Sequence, residues 1–87
     1  MSSASAAPVR SLHSKPYQAF IAEMVLARKE ANVTQHELAR RLKKPQSFVS
    51  KYERGERRLD VPEYVHIVSA LELDPIKWLR RIIKAIG

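Results

Sequence analysis

The chain has 87 residues, 45% of them hydrophobic, and a formal net charge of +7, which leaves room for one domain with a modest core. It has no cysteine, and its histidines (His13, His36, His66) are scattered without ligand spacing, so disulfides, a zinc site and any other cofactor are not expected. No apolar run is long enough to span a membrane and the N-terminus lacks the hydrophobic core of a signal peptide, so the expected compartment is the cytoplasm, in association with the nucleoid.

Residues 1–15 are rich in Ser and Ala, carry Pro8 and have no hydrophobic period, which predicts a disordered arm ahead of a domain spanning 16–87. Pro16 opens the first helix. Its apolar stripe runs through Tyr17, Phe20, Ile21 and Met24 at i, i+3, i+4, i+7, and the next position on that stripe is Arg28. A guanidinium facing a core needs a partner, so the break in pattern predicts a carboxylate opposite it. Thr34 and Glu37 have the spacing of a capping box, and the short helix they open turns Leu38, Ala39 and Leu42 inward.

Lys43-Lys44-Pro45 makes a tight turn into another short helix, which runs from Gln46 toward Arg54, has Val49 and Tyr52 on its apolar side and ends at Gly55. Asp60-Val61-Pro62-Glu63 combines a cap, an early proline and a glutamate, and starts a fourth helix expected to bury Tyr64, Val65, Val68 and Leu71. Asp74-Pro75 starts a fifth. It separates Lys77, Arg80, Arg81 and Lys84 from Trp78, Leu79, Ile82, Ile83 and Ile86. Five helices and no convincing strand make an all-α fold.

The location of the charge is more informative than its size. Between Arg40 and Arg58 eight basic residues face only two acidic ones, Glu53 and Glu56. Ordinary surfaces mix the signs, whereas concentrated positive charge suits a polyanion, because counterions released from phosphates drive association. Inside this segment, two short helices joined by a three-residue turn form the unit that docks a helix in the DNA major groove. Ala39 is the small residue where the two helices touch, and Leu38, Leu42, Val49 and Tyr52 anchor the turn from both sides.

The run Thr34-Gln35-His36-Glu37-Leu38-Ala39, followed by Gln46-Ser47-Phe48-Val49-Ser50-Lys51-Tyr52-Glu53-Arg54-Gly55, resembles the phage repressor/Cro (Xre-like) helix-turn-helix family. The resemblance covers about Tyr17 to Leu79. It implies a compact five-helix, lambda-repressor-like fold that binds operator DNA as a homodimer on two half-sites. It further implies base contacts by Gln46, Ser47, Ser50 and Lys51, with a Gln–adenine pair worth about 1–3 kcal/mol of discrimination. Phosphate contacts fall to Gln35, Arg54, Arg57 and Arg58, which give position without sequence. It also implies that Arg28 pairs with Glu53. The chain departs from the family at Lys43, where glycine is common, and at Pro45, where Ser or Thr usually caps. A left-handed Lys43 would bear roughly 1 kcal/mol of strain.

The leading reading is a non-enzymatic transcriptional regulator, a repressor on a palindromic operator. Phe48 is open between a thymine methyl and packing against the turn. Helix five either closes the core or supplies a two-fold contact through Trp78, Ile82, Ile83 and Ile86. The alternative function is an antitoxin that binds a toxin protein and represses its own operon. The serines have no base near them in the pattern, so catalysis has no support.

Overall fold

The computed structural model describes residues 14–87. Among them are five helices and no strand: α1 (Lys15–Glu30), α2 (Gln35–Leu42), α3 (Gln46–Glu53), α4 (Val61–Ala70) and α5 (Pro75–Ile86). The expected disordered arm falls outside the described residues as far as residue 13. Helix α1 begins one position earlier than Pro16, because Ser14 is its cap: the Ser14 hydroxyl accepts a hydrogen bond from Tyr17 N at 3.2 Å.

Helix α1 runs along the back of the domain and packs against α3 and α5, while α2 packs against α3 and α4, and α4 against α5. The core gathers Tyr17, Ile21, Met24 and Ala27 from α1, Leu38 and Ala39 from α2, and Val49 and Tyr52 from α3. Tyr64, Ile67 and Val68 from α4 and Trp78 and Ile82 from α5 complete it, with Val33, Leu59 and Leu71 from the connections. Among the long-range hydrogen bonds that tie α1 to the rest, Leu59 N donates to the Tyr17 hydroxyl at 3.0 Å, and Trp78 Nε1 donates to Glu23 O at 3.0 Å. Each satisfies a polar group that burial would otherwise strand.

Two expectations about faces need correction. In α4 the inward positions are Tyr64, Ile67 and Val68, and Val65 is exposed. In α5, Trp78 and Ile82 are core residues at 6% and 3% exposure, so neither is free to meet a second molecule. Leu79, Ile83 and Ile86 stand outside, with Ile83 at 61%. Helix α5 packs along α1 and more lightly on α4, and these contacts bury Trp78 and Ile82 but leave the rest of its apolar half uncovered.

Caps behave as their residue types dictate, with one exception. Asp60 and Glu63 complete a reciprocal box at the start of α4, at 2.8 and 2.9 Å. Thr34 accepts from Glu37 N at 3.0 Å, but the Glu37 carboxylate turns instead to Arg40 and Arg41. Two arginines three and four residues on outcompete one backbone amide.

Candidate nucleic-acid interface

The turn between α2 and α3 is built on a strained residue. Lys43 has φ 57° and ψ 43°, the left-handed conformation in which Lys43 N and Lys44 N reach back to Arg40 O and Ala39 O. Pro45 follows as the cap of α3 in an extended conformation, with no side-chain hydrogen bond of its own. Proline suits that place because it fixes the chain direction into the helix. Leu38, Ala39, Val49 and Tyr52 are buried beneath the turn, with Leu42 half-buried, so α2 and α3 hold one fixed angle.

The far end of α3 is pinned by ions. Arg28 Nε and Nη2 donate to Glu53 Oε2 and Oε1 at 2.7 and 3.1 Å, and Arg28 Nη1 donates to Val33 O at 2.9 Å. The two side chains are only 12% and 7% exposed, so this is the carboxylate that the break in the α1 stripe demands. Gln35 joins them: its Nε2 donates to Glu53 Oε1 at 2.8 Å. The buried Tyr52 phenol lies beside this cluster, and burial pushes its pKa well up.

With Val49 and Tyr52 inward, α3 presents Gln46, Ser47 and Lys51 to solvent, and Ser50 half so. Ser50 Oγ donates to Ser47 O at 3.3 Å; the Gln46 and Lys51 side chains have no hydrogen bond among the described residues. Phe48 is not on this face. Its ring packs against Tyr52 at 5.6 Å between centroids, with Lys44 Nζ at 5.5 Å and the Arg57 guanidinium at 4.7 Å. Of the two readings open for Phe48, packing fits the geometry.

The cations around α3 divide by chemistry. Arg40 and Arg41 share Glu37, holding its carboxyl down to about 2, and Arg41 Nη1 also donates to Ala70 O at 2.8 Å. Arg54 pairs with Glu56 at 2.9 Å, Arg57 pairs with Glu63 at 2.8 Å, and the Arg58 guanidinium lies 4.8 Å over the Tyr17 ring. Lys43, Lys44 and Lys51 have no carboxylate within ion-pair distance among the described residues. The arginines knit the surface, and the lysines carry its unspent charge.

A helix-turn-helix family model matches residues 26–78 of the chain. Among solved structures, an XRE-family like protein from Pseudomonas syringae pv. tomato str. DC3000 is similar, at 41% identity and a TM-score of 0.78. The match covers 90% of this chain and 95% of that one. The chain belongs to the XRE (Cro/C1-type) helix-turn-helix family. No curated protein matches it.

The helix-turn-helix of the XRE family is a DNA-binding unit of transcription regulators, and the match spans both helices of the turn. Two features on other elements escape sequence reasoning. One is Glu63, read there only as a helix cap, which also holds Arg57. The other is an apolar groove of about 300 Å³ between α4 and α5, bordered by Val61, Val65, Ile76 and Leu79. Val61 and Ile76 lie in the first turns of α4 and α5 and are both exposed. No helix among the described residues is long and apolar enough to cross a membrane.

Proposed function

We propose that this XRE-family protein is a repressor that binds a palindromic operator as a homodimer. In this reading α3 lies in the major groove, and Gln46, Ser47, Ser50 and Lys51 meet base edges. The observation that carries it is the division of α3 into a buried side and a polar side whose Gln46 and Lys51 side chains have no internal hydrogen bond. Gln46 in the first turn has both an amide donor and an amide acceptor to offer adenine.

Phosphates would be held by Gln35, Arg54 and Arg58, while Arg57 stays paired with Glu63. Gln35 spends one amide hydrogen on Glu53 and keeps the other for a phosphate. Among the described residues Arg54 is paired only with the exposed Glu56, an arrangement that a phosphate can displace cheaply.

The dimer contact is assigned to the exposed apolar face formed by Val61, Val65, Ile76, Leu79, Ile83 and Ile86. Charge favours a second copy there. Lys77, Arg80 and Lys84 run along α5, which has no carboxylate and whose Arg81 pairs with Glu23 and Glu30 of α1, while Asp60 and Asp74 sit at the helix starts. An antiparallel two-fold pairing of α5 brings the basic end of one copy to the acidic end of the other. An antitoxin would use the same face for a toxin.

The test is selection of bound sequences from a random DNA pool, with sedimentation of the free protein alongside. Enrichment of a palindrome, lost at one base position in Gln46→Ala, is the expected result. Failure to enrich any sequence overturns the DNA reading. A monomer that enriches only single half-sites overturns the dimer and leaves the apolar face to a different protein.

A further inference from the structure

We propose that Glu63 limits the number of DNA phosphates this protein engages, by holding Arg57 off the backbone. The proposal rests on the DNA-binding reading above and adds to it a residue outside the helix-turn-helix.

Arg57 lies in the connection between α3 and α4, beside the reading helix, since its guanidinium covers Phe48 next to Ser47. A loop arginine there is placed to reach a phosphate. Three of its five N–H donors are already engaged: Nη1 donates to Glu63 Oε1 at 3.1 Å and to Arg58 O at 2.9 Å, and Nη2 donates to Glu63 Oε2 at 2.8 Å. One edge of the guanidinium is thus closed by a carboxylate fork and one face by a ring.

What sets this pair apart is how firmly the carboxylate is held. Glu63 Oε1 also accepts from Asp60 N at 2.9 Å, and Glu63 sits in the first turn of α4, where the helix dipole favours negative charge. Both Arg57 and that backbone amide hold its pKa below the ordinary glutamate value. By contrast Glu56, the partner of Arg54, is more than half exposed. A phosphate can take Arg54 from a loose loop carboxylate. To take Arg57 it must displace an acid fixed by a helix cap.

Each phosphate neutralised steepens the fall of log K with log salt by about 0.9, whatever the DNA sequence. The salt slope therefore counts the cations in use. The experiment measures it for a short random-sequence duplex with the full chain and three variants. Glu63→Gln keeps the capping geometry, since Gln also closes a capping box, but loses the charge.

Glu63→Gln is expected to bind several-fold more tightly, with a slope steeper by about one. Arg57→Ala is expected to leave the slope where it is. In the double variant the slope returns to that of the parent. An unchanged slope in Glu63→Gln overturns the proposal, as does a shallower slope in Arg57→Ala, which would mean Arg57 already holds a phosphate. A double variant that stays steep also overturns it, because the gain would then come from relief of general repulsion. If the parent binds no duplex at all, the DNA reading falls as well; if it binds with unaltered slopes, only the role of Glu63 falls.

Discussion

Arg28 of α1 and Glu53 of α3 meet edge to edge across the back of α3, through two hydrogen bonds of 2.7 and 3.1 Å. With the two side chains 12% and 7% exposed, neither can fall back on water if the other is removed. Arg28→Met should therefore cost about 3–5 kcal/mol in urea denaturation, as expected for a buried charge left alone. Adding Glu53→Leu should restore much of that loss, because two apolar side chains need no partner. A double variant as unstable as the single one would show that Gln35 and Val33 O, the other partners in the cluster, matter more than the ion pair.

Lys43 holds a left-handed conformation that an L side chain adopts only against strain. Lys43→Gly removes the Cβ clash but frees the unfolded chain, and the balance should be a gain of about 0.5 kcal/mol. A shift in the urea midpoint without a change in m-value is the signature to seek. Destabilisation would mean that the lysine stem contributes packing at the turn.

Neighbouring residues on α5 should separate folding from association. Ile82 is 3% exposed and Ile83 is 61% exposed. Ile82→Ala should lower the stability of the fold by about 2–5 kcal/mol at any protein concentration. Ile83→Asp should leave the monomer's fold intact and abolish the concentration dependence of sedimentation. If Ile83→Asp left that dependence unchanged, the dimer face would lie elsewhere.

How much of this was legible beforehand depended on whether a signal was local. Helix starts were legible at Thr34, Asp60 and Asp74 because Thr and Asp caps and early prolines act within one turn, while the Ser14 cap was hidden in a stretch without hydrophobic period. That Arg28 has a carboxylate partner could be anticipated because a charge in an apolar stripe demands compensation, whereas the resemblance to the family was needed to name Glu53. The fate of Glu63 could not, since a glutamate three residues after a cap satisfies a local rule completely and its second role depends on where the preceding loop lies. The outward turn of Val65 and of Leu79 was hidden for a related reason. Periodicity marks a helix's apolar side but not how wide a strip the neighbouring helices can cover, and α5 shows a broader strip than α1 and α4 can take.

Acid should weaken the fold through the carboxylates paired with arginine. Glu37, Glu56 and Glu63 all have pKa values lowered from the ordinary 4.5, Glu37 to about 2. A lowered folded-state pKa means the unfolded chain binds protons first, so stability rises with pH across the window between the two values. The contribution is complete above about 4.5 and is lost as pH falls toward 2. Thermal melts followed by circular dichroism should show Tm falling across that window, and less steeply in Glu63→Gln. Melts with the same pH dependence in parent and variant would remove Glu63 from this account.

The bond from Leu59 N to the Tyr17 hydroxyl, buried although it serves a connecting loop, bears on kinetics. An amide in a loop ordinarily exchanges with solvent on local fluctuations, but this one is released only when α1 leaves the core. The Leu59 amide should then exchange as slowly as the helical core, and the residues just before it, Arg57 and Arg58, inherit that rigidity. A loop arranged before any encounter gives up little conformational freedom on meeting a partner, so the cost of ordering Arg58 is met during folding and not at the moment of binding.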